Sequence, residues 1–231
     1  MVLISEDDVQ NEGFFDTLLD APMRYGHFRY HEADLNSLVC FSDSVWVKPA
    51  AAKAFMEMVS CMVKDGCQPV IAKNGFRSFD QQVGMFRKYC IDKSWGVNKT
   101  LKRVALPGFS EHHTGFAIDI RLPRAGNVGK QTRLSSSKSY KWLKEHARKF
   151  GFYETFGKNN VFGTVYEPWH WCFKGCDESF ETFYRRELFL TAFKEGDRFS
   201  REIVCSASPF ELNSDLIFDK FVDSLRKSFL S

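Results

Sequence analysis

The chain has 231 residues, 44% of them hydrophobic, with 32 Lys and Arg against 29 Asp and Glu and a net charge of +3. That length and apolar content suffice for one main domain with a full core, while the balanced charge, with no dense basic run, excludes a nucleic-acid footprint. No window approaches the ~18 consecutive apolar residues of a transmembrane helix, so no membrane span is expected.

The first twenty residues carry six acids and no Lys or Arg, the opposite of the basic opening of a secretory signal. As written, the chain shows no export address and reads as cytoplasmic; a place in the cell envelope would require an export segment. The seven cysteines are odd in number and scattered, which fits buried free thiols better than a disulfide framework. Cys172 and Cys176 have C-x3-C spacing, but no second Cys/His pair with finger-like spacing follows.

The first clear periodicity is in KPAAAKAFMEMVSCMVKDG, where Ala52, Phe55, Met56, Val59, Met62 and Val63 recur at helical spacing between Pro49 and Gly66. It predicts a helix with this stripe in the core. PVIAK follows as a short strand. The chain then turns at Asn74-Gly75 and restarts as a helix, with Ser78 and Gln81 at capping-box spacing and Phe79, Val83, Phe86 and Cys90 on one face.

In GFSEHHTGFAIDI, residues 108–120, two adjacent histidines precede a strand in which Phe116, Ile118 and Ile120 alternate with Ala117 and Asp119. Residues 121–138 hold five basic residues, no acid, two glycines and a proline without a period, and read as a loop. SYKWLKEHARKFGF predicts a third amphipathic helix stopped at Gly151. VFGTVY and WHWCF look like strands flanking Glu167-Pro168, and helical patterns fill the chain from about residue 177 to the end. The order describes an α+β fold: a small, mostly antiparallel sheet flanked by helices, with a helical C-terminal extension.

Catalytic zinc commonly takes three ligands from His, Asp and Glu and keeps its fourth position open. His112, Asp119 and His170 would supply that set, since a loop turned at Gly115 can set His112 against Asp119, and His170 comes from a later strand. Glu167 is the candidate general base. A regular strand would send its side chain and that of His170 to opposite faces, so the role requires a bend near Pro168. Separately, each piece has a plainer reading: a surface histidine, a satisfied buried acid, an aromatic strand.

The segments GFRSFDQQ, PGFSEHHTGFAID, WLKEHARKFGF and YEPWHWCFKG occur in the order and spacing of the VanY-type zinc D-alanyl-D-alanine carboxypeptidases, a group that includes the LdcB-like L,D-carboxypeptidases and shares a metal-site fold with lysostaphin-type peptidases and hedgehog. The resemblance runs from about Phe28 to Gly175. Carried over by position, it implies Zn2+ on His112, Asp119 and His170, leaves His113 a bystander, and makes Glu167 the proton-transferring base. It also implies that Arg77 stabilises the oxyanion, that Gln82 and Ser110 hold a terminal D-alanine, and that Trp169 lines the pocket. Family members often carry Arg and Tyr where this chain has Thr155 and Phe156, which bears on subsite contacts rather than on the metal.

The function so implied is a zinc metallopeptidase removing a C-terminal D-amino acid from peptidoglycan stem peptides or precursors. Alternatives are a D-Ala-D-Ala dipeptidase or wall endopeptidase with the same metal chemistry, and a non-catalytic hedgehog-like binding module, against which Glu167 argues. The expected organisation is an N-terminal segment 1–27, a peptidase domain 28–176 and a helical extension 177–231. Arg124, Lys130 and Arg133 on the basic loop would favour acidic, extended stem peptides over the bare dipeptide.

Overall fold

The computed structural model describes residues 27–95, 97–123, 132–160 and 164–183. The chain divides into two compact units, one made of His31–Ser78 and Glu111–Thr182, the other of Met1–Tyr30, Phe79–Ser110 and Phe183–Ser231.

The first unit is α+β. A hairpin of β1 (Val39–Ser42) and β2 (Val45–Val47) leads into helix α1 (Pro49–Lys64), which opens on a proline in its first turn, where the missing N–H costs no hydrogen bond. Strand β3 (Ile71–Asn74) follows α1. After an excursion into the other unit the chain returns through a 3-10 turn at Glu111–Thr114 to β4 (Ala117–Arg121). Helices α4 (Thr132–Ser136) and α5 (Lys138–His146) come next, then β5 (Phe152–Glu154) and β6 (His170–Phe173). The four-stranded sheet has the order β3-β4-β6-β5 and is antiparallel throughout. Its central strands β4 and β6 are buried on both faces, which is why AIDI and HWCF are apolar at nearly every position rather than at alternate ones. Phe55 of α1 meets Phe152 at 6.0 Å, and Phe152 meets Phe173 at 5.3 Å, so α1 and β6 share one aromatic core with β5.

The second unit contains α2 (Phe79–Arg87), a π-helical turn at Lys88–Asp92 and α3 (Val97–Leu101). Phe86, Cys90, Leu101, Val104, Leu106 and Phe109 form its core.

Three sequence expectations change. The α1 stripe is rotated: Ala51, Ala52, Phe55, Met58 and Met62 are buried, whereas Met56 and Val63 are 55% and 50% exposed. Positions 51, 55, 58 and 62 form the straight line down the helix, and Met56 and Val63 lie beyond the strip that a single neighbouring layer can cover. The basic stretch is not loop throughout, because α4 and the start of α5 lie within 121–138; Ser137 caps α5 by accepting from the Tyr140 amide at 3.0 Å. VFGTVY is not a strand at residues 164–166; the strand that flanks β6 is β5, drawn from GFYE. The β1–β2 hairpin adds an element that the sequence pattern does not announce. The expected C-terminal helices are described only at 177–183; the rest of that extension, residues 1–26, and Arg124 and Lys130 of the basic loop lie outside the described residues.

Candidate metal centre

The register of the sheet brings the site together. Asp119 in β4 pairs with His170 at the start of β6 on one side and with Asn74 at the end of β3 on the other. Asp119 Oδ1 is 3.1 Å from His170 Nδ1 and 3.3 Å from His112 Nε2, and its Oδ2 accepts a hydrogen bond from Asn74 Nδ2 at 2.8 Å. All three ionisable residues are buried.

His112 reaches this point from the 3-10 turn before β4. Gly115 has φ +72°, the left-handed conformation that L side chains rarely adopt, and its carbonyl accepts the Lys48 amide at 2.9 Å, so the turn is tied down just before the strand begins. His112 Nδ1 is 2.6 Å from the Gly75 carbonyl. Donating there leaves the Nε2 lone pair directed at Asp119. Gly75 also lies close against β2: a Cβ at that position would clash with the Trp46 carbonyl oxygen.

Burial lowers the His112 pKa more than Asp119 raises it, which favours the neutral imidazole. Asp119 is penalised by burial, but His112 and His170 outweigh that and hold its carboxyl well below the usual range. His170 is likewise penalised by burial, yet hydrogen bonds to Asp119, Cys172 and Glu111 carry its pKa well above the ordinary histidine value.

The nitrogens of His112 and His170 and a carboxylate oxygen of Asp119 lie within 4.8 Å of one another. A tetrahedral ion with bonds of about 2.0–2.1 Å sets its ligand atoms about 3.3–3.4 Å apart, and the separations of 3.3 Å and 3.1 Å at Asp119 Oδ1 lie close to that spacing. The residues thus fit a zinc ion. A second group, Glu111, His170 and Cys172, also clusters. Burial and the Glu111 charge push the Cys172 thiol up to about 12.

His113 points elsewhere. Its ring is fully buried, with Nδ1 2.7 Å from the Arg77 carbonyl, and burial lowers its pKa to about 4. Glu167 precedes β6 in a turn: the His170 amide donates to the Glu167 carbonyl at 3.0 Å across Pro168 and Trp169. The Arg77 amide donates to the His112 carbonyl at 3.1 Å. Its guanidinium, depressed by burial, feels the charges of both Asp119 and Glu167, which oppose that shift. Trp169 is half-buried and its carbonyl accepts the Ile120 amide.

Gln82 and Ser110 fall in the other unit. Both are buried, and Gln82 Nε2 donates to the Ala105 carbonyl at 2.7 Å. Two residues at the centre escape a reading of the sequence. Asn74 reads there only as a turn residue, and Glu111, which touches His170 Nε2 at 2.8 Å, is overshadowed by the adjacent histidines. An acid next to a ligand candidate is the available signal for Glu111; for Asn74 there is none short of the strand register.

Known proteins resemble this chain. Residues 44–176, more than half of the chain, match the VanY family model, D-alanyl-D-alanine carboxypeptidase. A D-alanyl-D-alanine carboxypeptidase of Enterococcus faecium is 28% identical over 64% of this chain and 44% of its own length. The putative carboxypeptidase YodJ of Bacillus subtilis is 34% identical over 54% and 45%. The chain thus spans under half the length of these curated relatives. Among solved structures, the LdcB LD-carboxypeptidase superposes with a TM-score of 0.52 at 28% identity, covering 68% of this chain and 75% of that one. A mutant of the vancomycin resistance D,D-pentapeptidase VanY, in complex with Zn(II), also gives 0.52, at 22% identity, over 68% and 91%, and indicates a shared fold. The chain belongs to the VanY D-alanyl-D-alanine carboxypeptidase family.

Proposed function

We propose that this chain is a zinc carboxypeptidase that removes a C-terminal D-alanine from peptidoglycan stem peptides or their precursors, through a domain spanning residues 28–176 with 1–27 and 177–231 as flanking additions. The observation that carries the reading is the convergence of His112, Asp119 and His170 at ligand spacing, with Glu167 one turn before His170.

His112 Nε2, Asp119 Oδ1 and His170 Nδ1 would hold the ion. When bound, zinc supplies a Lewis acid that polarises the scissile carbonyl and lowers the pKa of water towards ~7. Glu167 takes the proton from the attacking water and returns it to the departing D-alanine amine, the two-way transfer expected of one carboxylate beside the reacting atoms. Arg77, the cation that feels both Asp119 and Glu167, stabilises the negative charge that develops on the carbonyl oxygen. Ser110, Gln82 and Trp169 are assigned to the substrate by the family pattern.

The test is product analysis with zinc-loaded chain on D-Ala-D-Ala and on tripeptide, tetrapeptide and pentapeptide stems. Free D-alanine from one or more of the stems is expected. A chain that binds zinc and frees no D-alanine from any of them contradicts the proposal. Which stem is cut separates D,D- from L,D-cleavage.

A further inference from the structure

Behind His170, on the side away from Asp119, lies a hydrogen-bonded chain that the proposed reaction does not use. Glu111 is 5% exposed, and its Oε2 receives two partners: His170 Nε2 at 2.8 Å and the Thr155 hydroxyl at 2.8 Å. Thr155 is itself buried, and Phe156, the next residue, places its ring 5.2 Å from the His170 ring. The acid, the hydroxyl and the imidazole come from three separate stretches of the first unit and converge on one point.

An imidazole that donates Nε2–H to a carboxylate has its tautomer and orientation fixed, and the lone pair on Nδ1 becomes a stronger donor. Here that Nδ1 is the atom facing Asp119 Oδ1 at 3.1 Å. His112 is oriented differently, through Nδ1 on the neutral Gly75 carbonyl, so His170 is the ligand candidate held by a charged partner, and such hydrogen bonds are the stronger kind. Thr155 leaves Glu111 Oε2 little freedom to swing away, because its hydroxyl donates to the same oxygen.

We propose that Glu111 is a positioning residue that sets the Nδ1 of His170 for metal binding, and that Thr155 is the brace that holds Glu111. This rests on the reading of His112, Asp119 and His170 as the metal ligands. The pair forms one device: Glu111 selects the tautomer, and Thr155 fixes the acceptor oxygen.

The test measures the zinc dissociation constant by chelator competition for the parent, Glu111→Ala, Glu111→Gln and Thr155→Val. It adds the visible spectrum of each cobalt-substituted form and the melting of each metal-free form. Removing such a partner is expected to weaken zinc by about 10–100-fold in Glu111→Ala, with a shifted cobalt spectrum. Partial recovery is expected in Glu111→Gln, which keeps an acceptor oxygen, and a smaller loss in Thr155→Val. Parental affinity and spectrum in folded Glu111→Ala would overturn the proposal. Should Glu111→Ala fail to fold, parental zinc affinity in Thr155→Val would overturn it instead. A parent that binds zinc but cleaves no stem peptide refutes the proposed reaction and leaves this comparison intact; a parent that binds no zinc refutes both.

Discussion

Asp119 and His170 are register partners on adjacent antiparallel strands, 51 residues apart in sequence, with Oδ1 3.1 Å from Nδ1. Sheet pairing, rather than a loop, therefore fixes two of the three candidate ligands, and Asn74 on the next strand holds the second oxygen of Asp119. A site built on paired strands keeps its spacing with little reorganisation, as metal geometry requires.

His112→Ala is expected to empty the site of zinc, whereas His113→Ala should keep it. His112 Nε2 faces Asp119 Oδ1 at 3.3 Å, while His113 Nδ1 is engaged at the Arg77 carbonyl. Metal analysis of the two purified variants checks this, and loss of zinc from His113→Ala alone would shift the ligand assignment by one residue.

Glu167→Gln is expected to retain zinc while turnover falls by about 10²–10⁴-fold or more, as for loss of a general base. Glu167 is separated from His170 by a closed turn, so an isosteric amide should leave the backbone in place. Parallel loss of metal and rate would make Glu167 a ligand instead.

Gly75→Ala should destabilise the fold by at least about 1–3 kcal/mol, the usual range for overpacking. The added Cβ would meet Trp46 O at 2.3 Å, Val47 Cγ1 at 2.8 Å and Val45 Cγ1 at 2.9 Å, and the first of these is backbone that cannot rotate aside. Because the Gly75 carbonyl also fixes His112, zinc occupancy should fall with the melting temperature. A variant that melts with the parent would show that the hairpin yields at no cost.

The centre is legible in the sequence where chemistry and spacing coincide. His112 and Asp119 stand seven residues apart across one turn, His170 begins an apolar strand, and all three meet. Glu111, Asn74 and Thr155 are not legible as parts of the centre, because their roles arise from register and from contacts between distant segments, which spacing along the chain does not encode. The fold class is readable from the alternation of helical and strand patterns. Details go astray where burial is one-sided or local propensity is weak, as at Met56 and Val63 on the outer face of α1, at the three-residue strand β5, and at α4 inside a polar, basic stretch.

The most direct measurement is a zinc titration of the metal-free chain with D-alanine release from a stem peptide as the signal. Release should be absent without metal, rise linearly with added zinc, and level off at one equivalent per chain. Release at full rate from the metal-free chain, or none at full zinc occupancy, would contradict a zinc carboxypeptidase built on His112, Asp119 and His170.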